Sequence, residues 1–279
     1  MAMNCGALTL KTPTGFAFKI EYFLKEPLKE ENDQRQWPIA IIFPGSGFVK
    51  MTEREGEPIA LAFSAQGYQT LVVHYNLLDQ GPIYPNAIDV GLTALHAVKQ
   101  HTAEFHGDPQ RIVTIGFSSG GHVVTLMNAL GQQPKYLAAH GFNAQKISPA
   151  AQVLGYPVID LNLGFPKDPA DIQRISPDAT YWQAEKLVSA QTPPTFIWHT
   201  FADAMVPVIN SLTYATALAQ HQVPLDLHLF TKGKHGLCLA TVETARYNRP
   251  EDIEKRAAAW FELALSWLAE QLQFDQVNF

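Results

Sequence analysis

Short apolar runs alternate with amphipathic stretches along most of this chain. Phe16–Phe23 alternates in part between apolar and polar positions and reads as an early antiparallel strand. Residues 38–43 (Pro-Ile-Ala-Ile-Ile-Phe) form a continuous apolar run ending at Pro44-Gly45, the pattern of a strand covered on both faces. Residues 69–74 repeat it. Ile88, Leu92, Leu95 and Val98 then recur at helical spacing. The pattern next predicts a strand over 111–117 and a helix over 121–130, followed by strands at Ala151–Gly155, Thr195–His199 and Leu225–Phe230. Near the end, Ile253, Ala257, Trp260, Ala264, Trp267 and Leu268 fall on one helical stripe, with Pro250 suited to its first turn. Alternating β and α segments imply an α/β architecture: a mainly parallel sheet with helices on both faces. Ligands of such sheets bind beyond the carboxyl ends of the strands.

The alternation breaks between about 160 and 192. Asp160-Leu-Asn-Leu-Gly-Phe-Pro-Lys-Asp-Pro169 is rich in turn residues, and Tyr181 and Trp182 follow. A cap inserted over a binding site and a long ordinary connection both fit, although long connections inside compact domains often carry function. No repeat, low-complexity tract or linker divides the rest. The 279 residues suit one domain that buries roughly three quarters of its unfolded surface.

Composition narrows the partners. A net charge of −6 without long like-charge runs argues against nucleic acid. Two cysteines, Cys5 and Cys238, are too few for a disulfide framework and read as free thiols of a reducing compartment. The N-terminus has no basic region followed by an apolar core, and no apolar run approaches the roughly 20 residues of a membrane span. The expected location is the cytoplasm, away from membranes.

The chemistry concentrates at Gly116-Phe-Ser-Ser-Gly120, between the 111–117 strand and the 121–130 helix. A serine exposed on a sharp strand-to-helix turn needs small neighbours on both sides, and Gly116, Gly120 and Gly121 provide them. A plain Gly/Ser turn shares this pattern. A serine hydroxyl becomes a useful nucleophile only beside a base that a carboxylate orients. Asp203 and His235 follow in the order serine, acid, histidine, each just beyond a predicted strand. Taken singly, Asp203 could cap a turn and His235 could sit in a surface loop. Asp226 is a rival acid but lies within a strand. Most of the other nine histidines fall in predicted elements or turns, and none joins a metal-ligand spacing such as HExxH or CxxC. No metal or cofactor is therefore expected. Oxyanion donors are expected from the backbone of Gly45, Ser46 and Gly47, after the 38–43 strand, and from Ser119 at a helix N-terminus.

With these residues in view, the chain resembles α/β-hydrolase-fold serine esterases. It is similar in particular to small carboxylesterases and acetyl esterases related to the hormone-sensitive-lipase group and to acetyl xylan esterases. The resemblance runs from about residue 16 to 270. It is carried by Pro44-Gly-Ser-Gly-Phe48, Gly116-Phe-Ser-Ser-Gly-Gly-His122, Asp203-Ala-Met-Val-Pro207 and His235-Gly-Leu237. It implies an α/β-hydrolase fold with a small cap, Ser118 as nucleophile, His235 as general base and then acid, and Asp203 as its orienting partner. The oxyanion segment departs from the His-Gly-Gly-Gly usual in such proteins: Phe43 and Pro44 replace its first part and Ser46 a glycine. That leaves the N–H groups of Ser46 and Gly47 as rival donors. Thr52–Glu57 also resembles a segment of related esterases, where Arg54 and Glu57 would form an ion pair or a solvated face.

The expected substrate is a small-molecule ester with an acetyl-to-butyryl acyl group, with acetylated carbohydrates among the candidates. Its walls are expected from Phe48, Phe117, Tyr156, Val206 and Leu237, with Tyr181 or Trp182 from the cap. Phe117 and Leu237 fit plain core equally well. Amidases and peptidases, including aryl formamidases, share this triad, and some proteins of the fold only bind ligands. Dienelactone hydrolases differ in using cysteine as nucleophile. A homodimer or homotetramer is an expectation from base rates alone.

Overall fold

The computed structural model describes residues 3–27 and 35–273. Its strands are β1 (Met3–Lys11), β2 (Ala17–Lys25), β3 (Trp37–Phe43), β4 (Gln69–His74), β5 (Gly107–Phe117), β6 (Ala151–Gly155), β7 (Thr195–Thr200) and β8 (Leu225–Phe230). They form one sheet of eight in the order β1-β2-β4-β3-β5-β6-β7-β8. β2 pairs antiparallel with both β1 and β4, and every other neighbour is parallel. The apolar run of β3 lies at the centre, and Ile39 through Phe43 have no exposed surface. Fully burying one such large side chain contributes about 1.5–3 kcal/mol.

Alternate residues of the central strands point to opposite layers, as the pleat requires. Val113, Ile115 and Phe117 of β5 share a core with α1 (Glu57–Ala65) and α7 (Trp260–Gln271). Ile112 belongs to the core on the other face, beneath α2 (Asn86–Gln100), α3 (Ser119–Leu130) and α6 (Ile209–Gln220). The short α4 (Pro134–Ala139) follows α3. Between β6 and β7 the chain departs from the sheet and carries α5 (Pro169–Ile175) and two 3-10 turns. Asp160 bridges Gln183 at the base of this excursion, and the Ile83 N–H bonds to the Ile175 carbonyl, 2.9 Å away.

Two elements differ from the sequence reading. β1 has no apolar alternation because it is an exposed edge strand, held by backbone pairing of all its residues to β2. The last helix starts at Trp260, not near Pro250. Residues 250–252 and 257–259 are separate 3-10 turns, and Ile253 is exposed. The physical reason is Asp252. Its side chain is buried among Arg246, Lys234 and Arg54, and the backbone bends to put it there. Among the described residues, no helix is long and apolar enough to cross a membrane.

Candidate active site

β5 ends at Phe117 and α3 begins at Ser119, so Ser118 alone makes the turn, at φ 52° and ψ −122°. A residue with a side chain occupies that region only when its surroundings enforce it. The enforcement here is close backbone packing. A Cβ on Gly120 would lie 2.1 Å from the Phe43 carbonyl oxygen and 2.6 Å from that of Pro44. One on Gly116 would lie 2.7 Å from the Gly120 oxygen, and one on Gly121 2.6 Å from Pro157 Cβ. The start of α3 is thus wedged against the ends of β3 and β6.

The loops after β7 and β8 converge on Ser118. Ser118 Oγ is 2.8 Å from His235 Nε2, and His235 Nδ1 is 2.6 Å from Asp203 Oδ2. Asp203 Oδ1 accepts the N–H groups of Met205 (2.9 Å) and Val206 (3.0 Å). The rival Asp226 lies on β8 and pairs with His228 at 3.6 Å. His199 is a partner that sequence reasoning missed. Its Nε2 lies 3.0 Å from the Val206 carbonyl and 3.3 Å from Asp203 Oδ2. A carbonyl only accepts, so the network assigns the proton to Nε2, and Ser211 Oγ donates to Nδ1 at 2.8 Å. Burial pushes the Asp203 carboxyl up. Bonds from His199 and then His235, with the His235 charge, outweigh it and hold the carboxyl well below the usual carboxylate range. The signal for His199 was its place four residues before Asp203, at the end of a buried strand.

Of the four expected oxyanion donors, two are already engaged. The Gly45 N–H donates to Glu55 Oε2 at 2.6 Å, and the Ser46 N–H to Ser119 Oγ at 2.8 Å. Neither can serve a substrate while those bonds stand. Gly47, at φ 54°, has an N–H without a protein acceptor among the described residues. Ser119 is the first residue of α3, where N–H groups lack an intrahelical acceptor. Gly47 and Ser119 are therefore the pair left open.

Ser118 and His235 open into a cavity of about 1000 Å³, with Val49, Leu78, Phe165, Ile175 and Met205 among its apolar walls. The aromatic and aliphatic residues expected there lie elsewhere. Phe117 packs behind the elbow against Trp260, with Leu237 in the same core. Tyr156 packs on Trp198, stands against the His235 ring and donates to Glu55, but does not itself line the cavity. Phe48 and Val206 are fully buried, Phe48 under Tyr84, His122 and Phe165. Tyr181 lies against Tyr84, and Trp182 donates its indole N–H to the Ser176 carbonyl at 3.0 Å. None of the seven is among the residues that line the cavity; from the excursion, Phe165 and Ile175 line it.

Arg54 also has other partners than expected. It donates to the carbonyls of Thr244 (2.6 Å) and Gly236 (2.9 Å) and lies 3.7 Å from Asp252, while Glu57 is exposed. Arg246 grips the same Asp252 with two bonds, at 2.9 and 3.0 Å, and Lys234 approaches it at 2.7 Å. Burial pushes the Asp252 carboxyl up, but the Arg246 and Lys234 bonds prevail and hold it well below the usual range.

This sheet order and this serine at a strand-to-helix turn define an α/β-hydrolase fold. The profile of the BD-FAE family matches residues 28–218, and the chain belongs to that family. The crystal structure of carboxylesterase Cest-2923 from Lactobacillus plantarum WCFS1 superposes with a TM-score of 0.91 at 37% identity, covering 97% of this chain and 98% of that one. That of an acetyl ester-xyloside bifunctional hydrolase from Caldicellulosiruptor lactoaceticus gives 0.67 at 29% identity, covering 95% and 92%. Endo-1,4-beta-xylanase B of Butyrivibrio fibrisolvens is 28% identical over 223 residues, 76% of this chain. The chain spans only 34% of that protein's length, and between 30% and 45% of the other curated relatives it matches.

Proposed function

We propose that the protein hydrolyses short-acyl carboxylic esters, with acetylated carbohydrates as the natural class, through a Ser118–His235–Asp203 triad and an acyl-enzyme. The observation that carries this reading is the continuous hydrogen-bonded line from Ser118 Oγ through His235 to Asp203. Ser118 attacks the ester carbonyl as His235 Nε2 takes its proton. Asp203 keeps the other imidazole proton on Nδ1 and stabilises the imidazolium. The tetrahedral oxyanion is held by the open N–H groups of Gly47 and Ser119; losing one such donor typically costs about 100-fold or more in rate. The alcohol leaves with the proton from His235, and water then attacks the acyl-enzyme with His235 again as base.

The segment from about 160 to 192 acts as a cap, since Phe165 and Ile175 line the same cavity as Ser118. Thr52, Lys167, Arg174 and Arg246 add polar groups to the same lining, suited to a hydroxyl-rich alcohol. The acetyl ester-xyloside hydrolase and the xylanase among the similar proteins point to the same substrates.

The test is hydrolysis of p-nitrophenyl esters from acetate to palmitate, and of acetylated xylo-oligosaccharides, by wild type and Ser118→Ala. Fast acetate and butyrate turnover that vanishes in the variant is expected. Equal or better turnover of acyl chains of ten or more carbons would overturn the short-acyl reading. Inert esters beside a cleaved anilide or formyl-amide would favour an amidase. Absence of any covalent adduct with an organophosphonate would favour a binding protein.

A further inference from the structure

Between the oxyanion loop and α1 lies a three-residue 3-10 turn, Glu53–Glu55, whose last side chain enters the protein. The Glu55 residue is 2% exposed, and no step of the proposed reaction uses it. A buried carboxyl is costly unless donors surround it. Gly45 N–H donates to Oε2 and Tyr156 O–H to Oε1, both at 2.6 Å, and Cys238 Sγ lies 4.0 Å from Oε1. The contacts continue outward on both sides. Gly45 begins the loop that carries the open Gly47 N–H. Tyr156 Oη accepts the N–H of Cys238 at 3.0 Å, three residues beyond His235, and the Tyr156 ring stands edge-on to the imidazole at 4.9 Å. Arg54, the preceding residue, holds the carbonyl of Gly236 from the other side. At Gly45 even a methyl group is excluded, since a Cβ would lie 2.5 Å from Glu55 Oε2 and 2.9 Å from Ser118 Cβ.

We propose that Glu55 is a positioning residue that sets the oxyanion loop and the His235 loop in register with Ser118. The role rests on the ester-hydrolase reading above. One carboxylate oxygen fixes the backbone that presents the oxyanion donor. The other fixes, through a single phenol, the backbone that presents the base. Both donors converge on one side chain, so a displacement of Glu55 moves both halves of the machinery, and misplacement by about 1 Å can cost 100-fold in rate. Only a carboxylate serves both partners. An amide in its place accepts from one and turns its own NH2 toward the other. Burial pushes the Glu55 carboxyl above its usual range, and the Tyr156 bond, the charge of His235, the Gly45 N–H and Arg54 counter this only in part. The titratable and charged groups around it are therefore Tyr156, His235, Arg54 and Cys238, with Tyr75 also within electrostatic reach.

The experiment compares Glu55→Gln, Tyr156→Phe and Ser118→Ala with wild type. It reads kcat, KM and Tm, with kcat taken per site titrated with an organophosphonate and, for Ser118→Ala, which has no hydroxyl to titrate, per folded protein. Titrated sites remove any loss due to unfolded protein, so a purely structural role leaves kcat per site unchanged. For Glu55→Gln the expected result is a fall in kcat per site of about 30- to 100-fold with KM within about threefold. Tyr156→Phe keeps the ring packing and loses the phenol link. It is expected to lose about tenfold in kcat, with a modest change in Tm. Wild-type kcat per site in Glu55→Gln, or wild-type kcat in a folded Tyr156→Phe, would overturn the proposal. Ser118→Ala separates the two readings. If it still hydrolyses esters, the triad reading fails. If it is inert while Glu55→Gln is fully active, only the role of Glu55 fails.

Discussion

Around Ser118 the chain passes from β5 into α3 within three residues and excludes side chains at Gly116, Gly120 and Gly121. Around His235 it runs from residue 231 to 259 through loops and 3-10 turns, and side chains hold it in place. In the first region the Ser118 conformation is enforced by glycine contacts too close for any Cβ. In the second, Arg54, Glu55, Tyr156 and Asp252 tie an irregular backbone to the sheet through polar bonds to carbonyls and N–H groups. The first arrangement is steric and tolerates no added atom. The second is electrostatic, so it tolerates isosteric replacement sterically and suffers when a charge or donor is lost.

The sharpest way to break this comparison is one methyl group in the steric half. Gly120→Ala is expected to cost more than about 4 kcal/mol and to abolish soluble folded protein, because both opposing atoms are backbone. Soluble yield and Tm check it; a folded, active variant would show that the elbow can relax. Next is an isosteric change in the electrostatic half. Asp203→Asn is expected to lower kcat by about 10⁴ through loss of the required histidine tautomer, while the protein stays folded. Steady-state kinetics with circular dichroism decide this.

A smaller effect is expected at Asp252→Asn, about 2–3 kcal/mol of stability at neutral pH, since Arg246, Lys234 and Arg54 lose their shared counter-ion. The sign with pH follows from a folded carboxyl held below its unfolded value. The contribution is complete above the ordinary carboxylate range near pH 4 and is lost as pH falls through the lower folded value. Wild type and variant should therefore converge in Tm on strong acidification, and a gap that stays constant with pH would contradict the ion cluster. The smallest effect belongs to Glu57→Gln. Glu57 is exposed and Arg54 has other partners, so Tm should move by less than about 0.5 kcal/mol equivalent. A larger loss would revive the Arg54–Glu57 pair.

The steric half is legible in the sequence because its requirements are local. A strand, a turn with glycines at fixed offsets and a helix are consecutive, and Gly116, Gly120 and Gly121 mark them directly. The parallel strands β3 to β7 were legible for a related reason, since burial on both faces demands continuous apolar runs. β1 was not, because an exposed edge strand needs no apolar pattern. The helix expected from Pro250 was not either, because the burial of Asp252 overrode its periodicity.

The sequence by itself determined the sheet's central strands, the elbow and the chain order of Ser118, Asp203 and His235, all encoded in neighbouring residues or simple periods. Only the tertiary structure decided which N–H groups remain open, that His199 backs Asp203, that Arg54 turns to Asp252, and that Glu55 joins two loops. Those outcomes depend on bonds between residues up to about 190 positions apart. A polar side chain carries no periodic mark of the partner it will meet, so such pairings emerge only when the sheet has brought its loops together.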